Sequence, residues 1–301
     1  MEDIYIGVDG GATKSKVRVE KSDGTLLGVA IGGPANITRM PVEKAWDAIY
    51  AALNEVLEPH NISLANKNYK FHIGLGLAGC ELPDVRADYL NQSHSFTTIK
   101  LTSDAHVACL GAHNGADGEI IIIGTGVVGY QIQGDVDNRV SGWGFPHDDE
   151  GGGAWLGLEA ARLTFQSLDH RITASPLLED VFAFFENDLN QFVTWANRAS
   201  SSEFGRLAPL VIKHSQQGDD LAIQLMKKAA LAVDLVGSAL MKTQKQKNKS
   251  LPCALFGGIA PFVEPWLSAE LRARLVPRKG DANVGAILMI KQVMRKDCSP
   301  D

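Results

Sequence analysis

Residues 4–19 read IYIGVDGGATKSKVRV, two apolar runs joined by small residues. Alternating apolar positions on either side of such a turn are typical of a β-hairpin. Gly10 and Gly11 would let backbone N–H groups approach a bound anion without a Cβ in the way. Thr13 adds a hydroxyl donor, and Asp9 could hold a divalent cation through water. The stretch has the parts of a phosphate-binding turn, and an ordinary Gly-rich hairpin turn would show the same pattern.

A second strand, glycine turn and strand begins at residue 119. The run 119–123 leads into Gly124, Thr125 and Gly126, and residues 127–132 alternate again. Two lobes that start alike would explain this repeat. The spacing from Gly124 to Gly129 also matches the dinucleotide fingerprint, which needs a helix directly after the glycines. The alternating segment predicts a strand there, so that interpretation is rejected.

Two polar side chains follow predicted strands in the first half of the chain. Asn36 ends a Gly-Gly-Pro-Ala loop and can both donate and accept hydrogen bonds, which suits a sugar hydroxyl or a turn cap. Asp104 lies between the short strand 99–102 and the next helix. It could be the N-cap of that helix or a general base at the carboxyl end of a strand, and the two roles are compatible.

The loop 141–153 reads SGWGFPHDDEGGG. An aromatic face at Trp143 and three carboxylates at 148–150 lie beside glycines, and an exposed Trp143 and Phe145 would gain nothing on a plain surface loop. We therefore predict a ligand pocket there, in which His147 has no assigned role. A further glycine pair, Gly257 and Gly258, stands between a strand and a helix, where backbone can approach a ligand closely. Helical periodicity predicts helices at 42–57, 84–92, 107–113, 154–168, 177–189, 192–198, 207–217, 219–242 and 259–267.

Composition limits the possible partners. A chain of 301 residues favours two lobes over a single core. The net charge of −6 and the lack of basic clusters with interleaved aromatic residues argue against a nucleic-acid surface, and the basic run 242–249 predicts a solvated helix end. No CxxC motif occurs, so the cysteines are predicted to be thiols of a reducing compartment: Cys80, Cys109, Cys253 and Cys298. The acidic start and the absence of a long apolar run predict a cytoplasmic protein without a membrane segment.

With these motifs assembled, the chain resembles the sugar kinase, Hsp70 and actin superfamily. Within it, the chain is similar to the BadF/BadG/BcrA/BcrD-type ATPase family, in its branch of N-acetylglucosamine and glucosamine kinases. Residues 9–13 resemble the first phosphate motif, 123–126 the second and 255–258 the adenosine motif, and Asp104 and 283–286 fall where the connecting segments belong. The amino-sugar branch is suggested by four short segments, 34–36, 102–105, 142–144 and 149–151.

The resemblance implies roles for particular residues. Asp104 would be the catalytic base. Nucleotide would be bound by Asp9, Gly10, Gly11, Thr13, Lys14, Gly124, Thr125, Gly126, Gly257 and Gly258, with Mg²⁺ held by Asp9 through water. The sugar would be bound by Asn36, Asp104, Gly142, Trp143, Gly144 and Asp149. Two departures stand out, since Ile123 and Val127 flank the second turn where hydroxyls are usual, and Gly152-Gly153 replaces a serine and a large residue.

The implied fold is α/β, a two-lobed actin-like ATPase (ribonuclease H-like) fold in which each lobe is a mixed sheet flanked by helices, with a cleft between the lobes. The expected lobes are 1–114, completed by 286–301, and 115–285. The implied activity is ATP- and Mg²⁺-dependent phosphorylation of the 6-hydroxyl of N-acetyl-D-glucosamine, by a homodimer. Glucosamine kinase, an ATPase that activates a dehydratase and an inactive sugar-binding module are the alternatives.

Overall fold

The computed structural model describes residues 1–11, 13–80, 82–244 and 250–297. Most of the basic run 242–249 and Cys298, with the rest of 298–301, lie outside the described residues. By packing, the chain divides into two units. Unit 1 consists of Met1–Gly118, Gln131–Asp137 and the residues from Pro277 onward, and unit 2 of Glu119–Tyr130 and Asn138–Val276. The lobes expected from the sequence, with breaks at 114/115 and 285/286, stay a prediction.

The secondary structure alternates strands and helices before residue 170 and is mainly helical afterwards. In chain order the described strands are β1 (Glu2–Gly10), β2 (Ser15–Lys21), β3 (Leu26–Gly32), β4 (Tyr69–Leu77), β5 (Thr98–Thr102), β6 (Gly118–Ile123), β7 (Val127–Gln133), β8 (Val136–Ser141) and β9 (Cys253–Phe256). The described α-helices are α1 (Val42–Leu57), α2 (Pro83–Leu90), α3 (Asp104–Ala112), α4 (Gly153–Leu168), α5 (Pro176–Ala183), α6 (Leu189–Ala196), α7 (Ser201–Gly205), α8 (Ala208–Gln216), α9 (Asp220–Thr243), α10 (Ala260–Val263), α11 (Ala269–Arg272) and α12 (Ala282–Asp297).

The first sheet has the order β3-β2-β1-β4-β5 in the described chain. β1 and β2 pair antiparallel up to Gly10 and Ser15, which confirms the predicted hairpin. β4 and β5 add to it in parallel. Alternate residues of β1, beginning with Ile4, are fully buried because one face of the sheet covers the core of unit 1. The predicted helix 42–57 is confirmed residue for residue as α1.

Helix α12 packs unusually closely on the first sheet and on α3. A Cβ on Gly7 of β1 would collide with the carbonyl oxygen of Asn283, and a Cβ on Gly285 would collide with that of Val107. Close packing therefore accounts for the glycine at both positions. The close approach brings the N-terminal end of α12 to the carboxyl-end edge of β1, where the first glycine turn begins.

The second sheet has the order β8-β7-β6-β9 within the described residues, with β6 and β9 parallel. β7 continues directly after the second glycine turn, so the prediction that no dinucleotide-binding helix follows is confirmed. The predicted helix 177–189 is wrong in length, because α5 ends at Ala183 and a new helix starts at Leu189. The Phe185 and Phe192 rings stack at 4.4 Å in the core of unit 2.

Candidate functional site

Unit 1 gathers three carboxylates at the carboxyl-end edge of its sheet. Asp9 is near the end of β1, Asp104 begins α3 directly after β5, and Asp281 precedes α12. Burial raises the pKa of Asp9 to about 6, the negative charges of Asp104 and Asp281 add to this rise, and Lys16 and Lys14 oppose it. The cluster therefore carries more negative charge than its two lysines balance, which is the environment that a cation would stabilise.

Asp281 and Asp9 differ in how they are paired. Lys16 donates to Asp281 at 2.6 Å, and although burial alone would raise the pKa of Asp281, this ion pair holds it below the usual value. Asp9, by contrast, makes no hydrogen bond or ion pair with the described residues. Among all the residues that the structure describes, no group of three or more His, Cys, Asp or Glu side chains could bind a metal directly. A cation near Asp9 would therefore keep most of its water ligands, as Mg²⁺ commonly does.

The N-cap of α3 is Ser103, and the proposed capping role of Asp104 is wrong. The Ser103 hydroxyl oxygen accepts the backbone N–H of His106 at 3.2 Å, whereas Asp104 is already inside the first turn and accepts the N–H of Ala105 at 2.8 Å. The helix thus starts three residues before the predicted residue 107. Because Ser103 caps the helix, N-capping does not account for the carboxylate at position 104.

Asn36 lies in a loop that is fastened to the first glycine turn. Its Oδ1 accepts the backbone N–H of Thr38 at 3.0 Å and the Thr38 hydroxyl at 2.7 Å, so the turn-capping interpretation is confirmed. The N–H of Ala35 donates to the carbonyl of Gly11 at 3.0 Å. A Cβ on Gly10 would collide with Leu77, so close packing explains this glycine. Gly11 has no such crowding from described atoms, the nearest being 3.5 Å away.

Unit 2 has a different construction around the second glycine turn. The first N–H groups of α4 serve the turn itself, since Gly153 donates to the Gly124 carbonyl at 2.8 Å and Ala154 to the Thr125 carbonyl at 2.9 Å. A Cβ on Gly152 would lie 2.6 Å from the Thr125 carbonyl oxygen, which explains why glycine replaces a larger residue there. Val127, the other departure, is 1% exposed and belongs to the core.

The turn borders a groove of about 460 Å³ in unit 2. The groove is lined by Gly124, Thr125, Gly153, Ser202, Arg206 and Gly258, with Gly205 and Ile259 completing it. The turn predicted to bind phosphate and the glycine pair predicted to bind adenosine thus line one groove. A Cβ built on Gly124 or on Gly258 would have no described atom within 4 Å, so packing leaves open space beside both of these groove residues. That space would admit a ligand directly against the backbone.

Two polar groove residues, Ser202 and Arg206, were missed from the sequence. They belong to the short helix α7 and its C-cap, and no helix was predicted there. The signal was present in Ser200 and Glu203, because the Ser200 side chain caps the N–H of Glu203 and the Glu203 carboxylate accepts from the N–H of Ser200, a complete capping box. A search for that spacing would have found the helix but not its place beside the groove.

The loop 141–153 is also held by its own side chains. Asp148 accepts the N–H of Trp143 at 2.7 Å and the hydroxyl of Ser141 at 2.9 Å. Burial alone would raise the pKa of Asp148, but these hydrogen bonds hold it below the usual range. The Trp143 ring is 77% exposed with the Arg139 guanidinium above it, 5.2 Å from the ring centre. Asp149 accepts the N–H of Val127 at 3.3 Å.

Some residues of this loop line a second, smaller cavity, and one packs on the core of unit 2. A cavity of about 240 Å³ is lined by Trp143, Asp148 and Glu150 and by Leu235 of α9. Phe145 does not face a ligand, because its ring packs on Phe204 of the unit 2 core at 5.5 Å. The expected aromatic face of the loop is therefore that of Trp143.

The predicted site residues thus form separate groups within each unit. Unit 1 contains Asp9, Gly10, Gly11, Thr13, Lys14, Asn36 and Asp104. Unit 2 contains Gly124, Thr125, Gly126, Gly142, Trp143, Gly144, Asp149, Gly257 and Gly258. Gly257, with φ +93°, is backed by the Ile123 carbonyl, and a Cβ on Gly126 would collide with the Asp149 carboxylate, so packing explains these two glycines. The ligand roles of all these residues stay predictions.

The chain is similar to known proteins in both sequence and structure. Residues 6–280 match the model of the BadF/BadG/BcrA/BcrD ATPase family. The glucosamine kinase of Vibrio cholerae is 34% identical over 284 residues, 94% of each chain. A provisionally assigned N-acetylglucosamine kinase of Chromobacterium violaceum superposes with a TM-score of 0.85 at 35% identity, over 95% of this chain and 98% of that one.

A more distant structure shares the fold alone. The ROK family glucokinase of Streptomyces griseus, solved with glucose and AMPPNP, superposes with a TM-score of 0.51 at 17% identity, over 96% of this chain and 99% of that one. The predicted α/β fold of the actin-like sugar kinases, with mixed sheets flanked by helices, is confirmed.

No helix of the described residues is both long and apolar enough to cross a membrane. The chain belongs to the BadF/BadG/BcrA/BcrD ATPase family.

Proposed function

We propose that this protein is a kinase that transfers the γ-phosphoryl group of ATP to the 6-hydroxyl of an amino sugar, with N-acetyl-D-glucosamine as the first candidate. The observation that carries the proposal is the unit 2 groove, where Gly124 of the second phosphate motif and Gly258 of the adenosine motif share one open space. The similarity over 94% of the chain to a glucosamine kinase supports an amino sugar as the acceptor.

The unit 1 cluster suits the phosphoryl-transfer chemistry. Mg²⁺ bound with ATP would neutralise phosphate charge, and Asp9 would hold it through water. Asp104 would accept the proton of the 6-hydroxyl as that oxygen attacks the γ-phosphorus and ADP leaves. Lys16 keeps Asp281 paired and ionised, so the cluster remains negative and attractive to a cation. Phosphoryl transfer depends mainly on position and charge neutralisation, which these residues can supply.

The choice of amino sugar depends on the loop 141–153. An acetyl methyl group gains from an apolar face such as that of Trp143, whereas the Arg139 guanidinium above this ring would repel an ammonium group. Asp148 is engaged by Ser141 and Trp143, which leaves it less available to an ammonium. Free glucosamine is the second candidate, because the 34% identical relative is a glucosamine kinase.

The dehydratase-activator alternative has little support from the cysteines that the structure describes. Cys80, Cys109 and Cys253 are all buried, whereas a cluster shared between subunits would need thiolates at the surface. A homodimer and a cytoplasmic location stay predictions, which light scattering and cell fractionation would test.

The test is a coupled ADP-release assay with glucose, glucosamine, N-acetylglucosamine and N-acetylmuramic acid as acceptors. Sugar-dependent ADP release that is greatest with N-acetylglucosamine supports the proposal, greatest with glucosamine selects the second candidate, and none with any sugar refutes it. In Asp104→Asn, kcat should fall by about 10²–10⁴-fold with ATP binding retained. Asp88→Asn, an exposed carboxylate on α2, is the matched control. Near-normal kcat in Asp104→Asn would remove its assignment as the base.

A further inference from the structure

Arg206 is the one charged side chain among the described residues that line the unit 2 groove. The other lining residues offer glycine backbone, the hydroxyls of Thr125 and Ser202, and an aliphatic side chain at Ile259. No carboxylate lines the groove in the described part of the chain. A groove with one cation, several hydroxyl groups and exposed backbone favours an anionic ligand over a neutral or cationic one.

The guanidinium of Arg206 is held in place without having its donors used. It lies 5.3 Å from the ring centre of Phe184, a cation–π contact that orders the side chain. The nearby Glu203 carboxylate is occupied by the N–H and hydroxyl of Ser200, both at 2.7 Å. The guanidinium N–H groups of Arg206 form no hydrogen bond with any residue that the structure describes. A side chain that is ordered but unpaired can bind a ligand at a low entropic cost.

The backbone places Arg206 next to the phosphate motif. Its own N–H closes α7 on the carbonyls of Glu203 and Phe204, and Phe204 is buried in the unit 2 core, which anchors the end of this helix. The preceding Gly205 faces the Thr125 side chain, since a Cβ there would lie 3.9 Å from the Thr125 methyl. The end of α7 therefore lies beside Thr125, and Arg206 follows it in the chain as a lining residue of the groove.

We propose that Arg206 contacts the phosphates of the bound nucleotide. The planar guanidinium presents paired N–H donors that match phosphate oxygens, which a lysine ammonium cannot do. This inference rests on the proposed function only in taking ATP as the ligand. Stacking of the guanidinium on the adenine ring is the competing arrangement, and the test separates the two.

The experiment measures displacement of a fluorescent ATP analogue by tripolyphosphate and, separately, by adenosine. In Arg206→Gln, the dissociation constant of tripolyphosphate obtained from the competition should rise about tenfold, as the loss of one charge-assisted contact predicts. The dissociation constant of adenosine should change by less than about twofold. Arg206→Lys should give an intermediate loss. Arg171→Gln is the matched control, because Arg171 is an exposed arginine of unit 2 that pairs with Asp169 and does not line the groove.

Two results would overturn the inference. Unchanged tripolyphosphate competition would show that Arg206 does not contact phosphate, and a loss confined to adenosine would assign it to the base. Because no sugar is present, the result is independent of the acceptor. If the wild-type protein binds the analogue but phosphorylates no sugar, the proposed function fails, and the displacement experiment still tests whether Arg206 contacts phosphate. Equal thermal unfolding of wild type and variant would show that an affinity loss is not a loss of fold.

Discussion

Replacing Asp9 by asparagine should stabilise the fold while it weakens function. The carboxyl has an ordinary pKa of 3.8, and burial together with the charges of Asp104 and Asp281 raises this pKa to about 6 in the folded protein. At about 1.36 kcal/mol per pKa unit, this difference corresponds to a cost of about 3 kcal/mol for the ionised form. Asp9 is only partly buried, so solvent screening reduces the expected gain in Asp9→Asn to about 1–2 kcal/mol.

The pH dependence of this gain follows from the direction of the shift. A raised folded-state pKa means that between pH 4 and 6 the folded state binds more protons than the unfolded state, so stability falls as pH rises. Below pH 4 the Asp9 carboxyl is protonated in both states, and Asp9→Asn should change little. Above pH 6 the ionised carboxylate carries its full cost, and the variant should be more stable than the wild type by the whole amount.

The assay is urea unfolding without divalent cations at pH 4, 6 and 8. The free energy of unfolding of Asp9→Asn should exceed that of the wild type at pH 8 and converge with it at pH 4. Asp47→Asn, an exposed carboxylate on α1 of the same unit, should change stability by no more than about 0.5 kcal/mol at any of these pH values. Added Mg²⁺ should stabilise the wild type at pH 8 but not Asp9→Asn. An equal gain at pH 4 and pH 8, or a loss at pH 8, would refute the reasoning.

Three further predictions concern other parts of the site. Lys16→Met should shift the acidic limb of the kcat/KM pH profile to higher pH, because Lys16 lowers the pKa of Asp9. The lost ion pair with Asp281 should cost less than about 1 kcal/mol of stability in urea unfolding. An unmoved limb would count against the effect of Lys16 on the pKa of Asp9. Trp143→Ala should leave the melting temperature unchanged, since the ring is 77% exposed, but raise KM for N-acetylglucosamine more than for glucosamine; equal effects on both would remove the acetyl contact. Gly285→Ala should lower stability by about 3 kcal/mol in calorimetry, because its Cβ would collide with a carbonyl of α3, and a fully stable variant would disprove that packing.

Much of the fold could be predicted from the sequence where local pattern and tertiary environment agree. Alternating apolar residues around a small-residue turn gave the β1–β2 hairpin, and the apolar stripe of α1 gave its bounds. Both signals are strong because one face of each element is buried in the unit 1 core. The predicted helix after residue 177 was too long because its apolar run continues through Phe184 and Phe185, and apolar residues alone do not mark where a helix ends.

The site was harder to predict because several of its properties depend on distant residues. The raised pKa of Asp9 comes first from burial and then from the charges of Asp104 and Asp281, which are both remote in sequence. The presence of Arg206 in the groove follows from where α7 packs, and nothing adjacent to it in the chain resembles a nucleotide motif. For Asp104, the sequence allowed a capping role that the neighbouring Ser103 fills, and only the helix start distinguishes the two residues.

The glycines of the motifs illustrate the same limit in physical terms. A glycine is needed wherever a Cβ would collide, and a ligand and a neighbouring residue can both be the obstacle. At Gly10 and Gly257 the obstacle is the protein itself, a Leu77 side chain in one case and the Ile123 carbonyl in the other. At Gly124 and Gly258 no described atom lies within 4 Å, so packing does not account for a glycine there. If ATP fills that space, Gly124→Ala and Gly258→Ala should weaken ATP binding without loss of stability, whereas Gly257→Ala should lower stability as well. Retained ATP affinity in both of the first two variants, measured by calorimetric titration, would mean that the open face of the groove is not where the nucleotide lies.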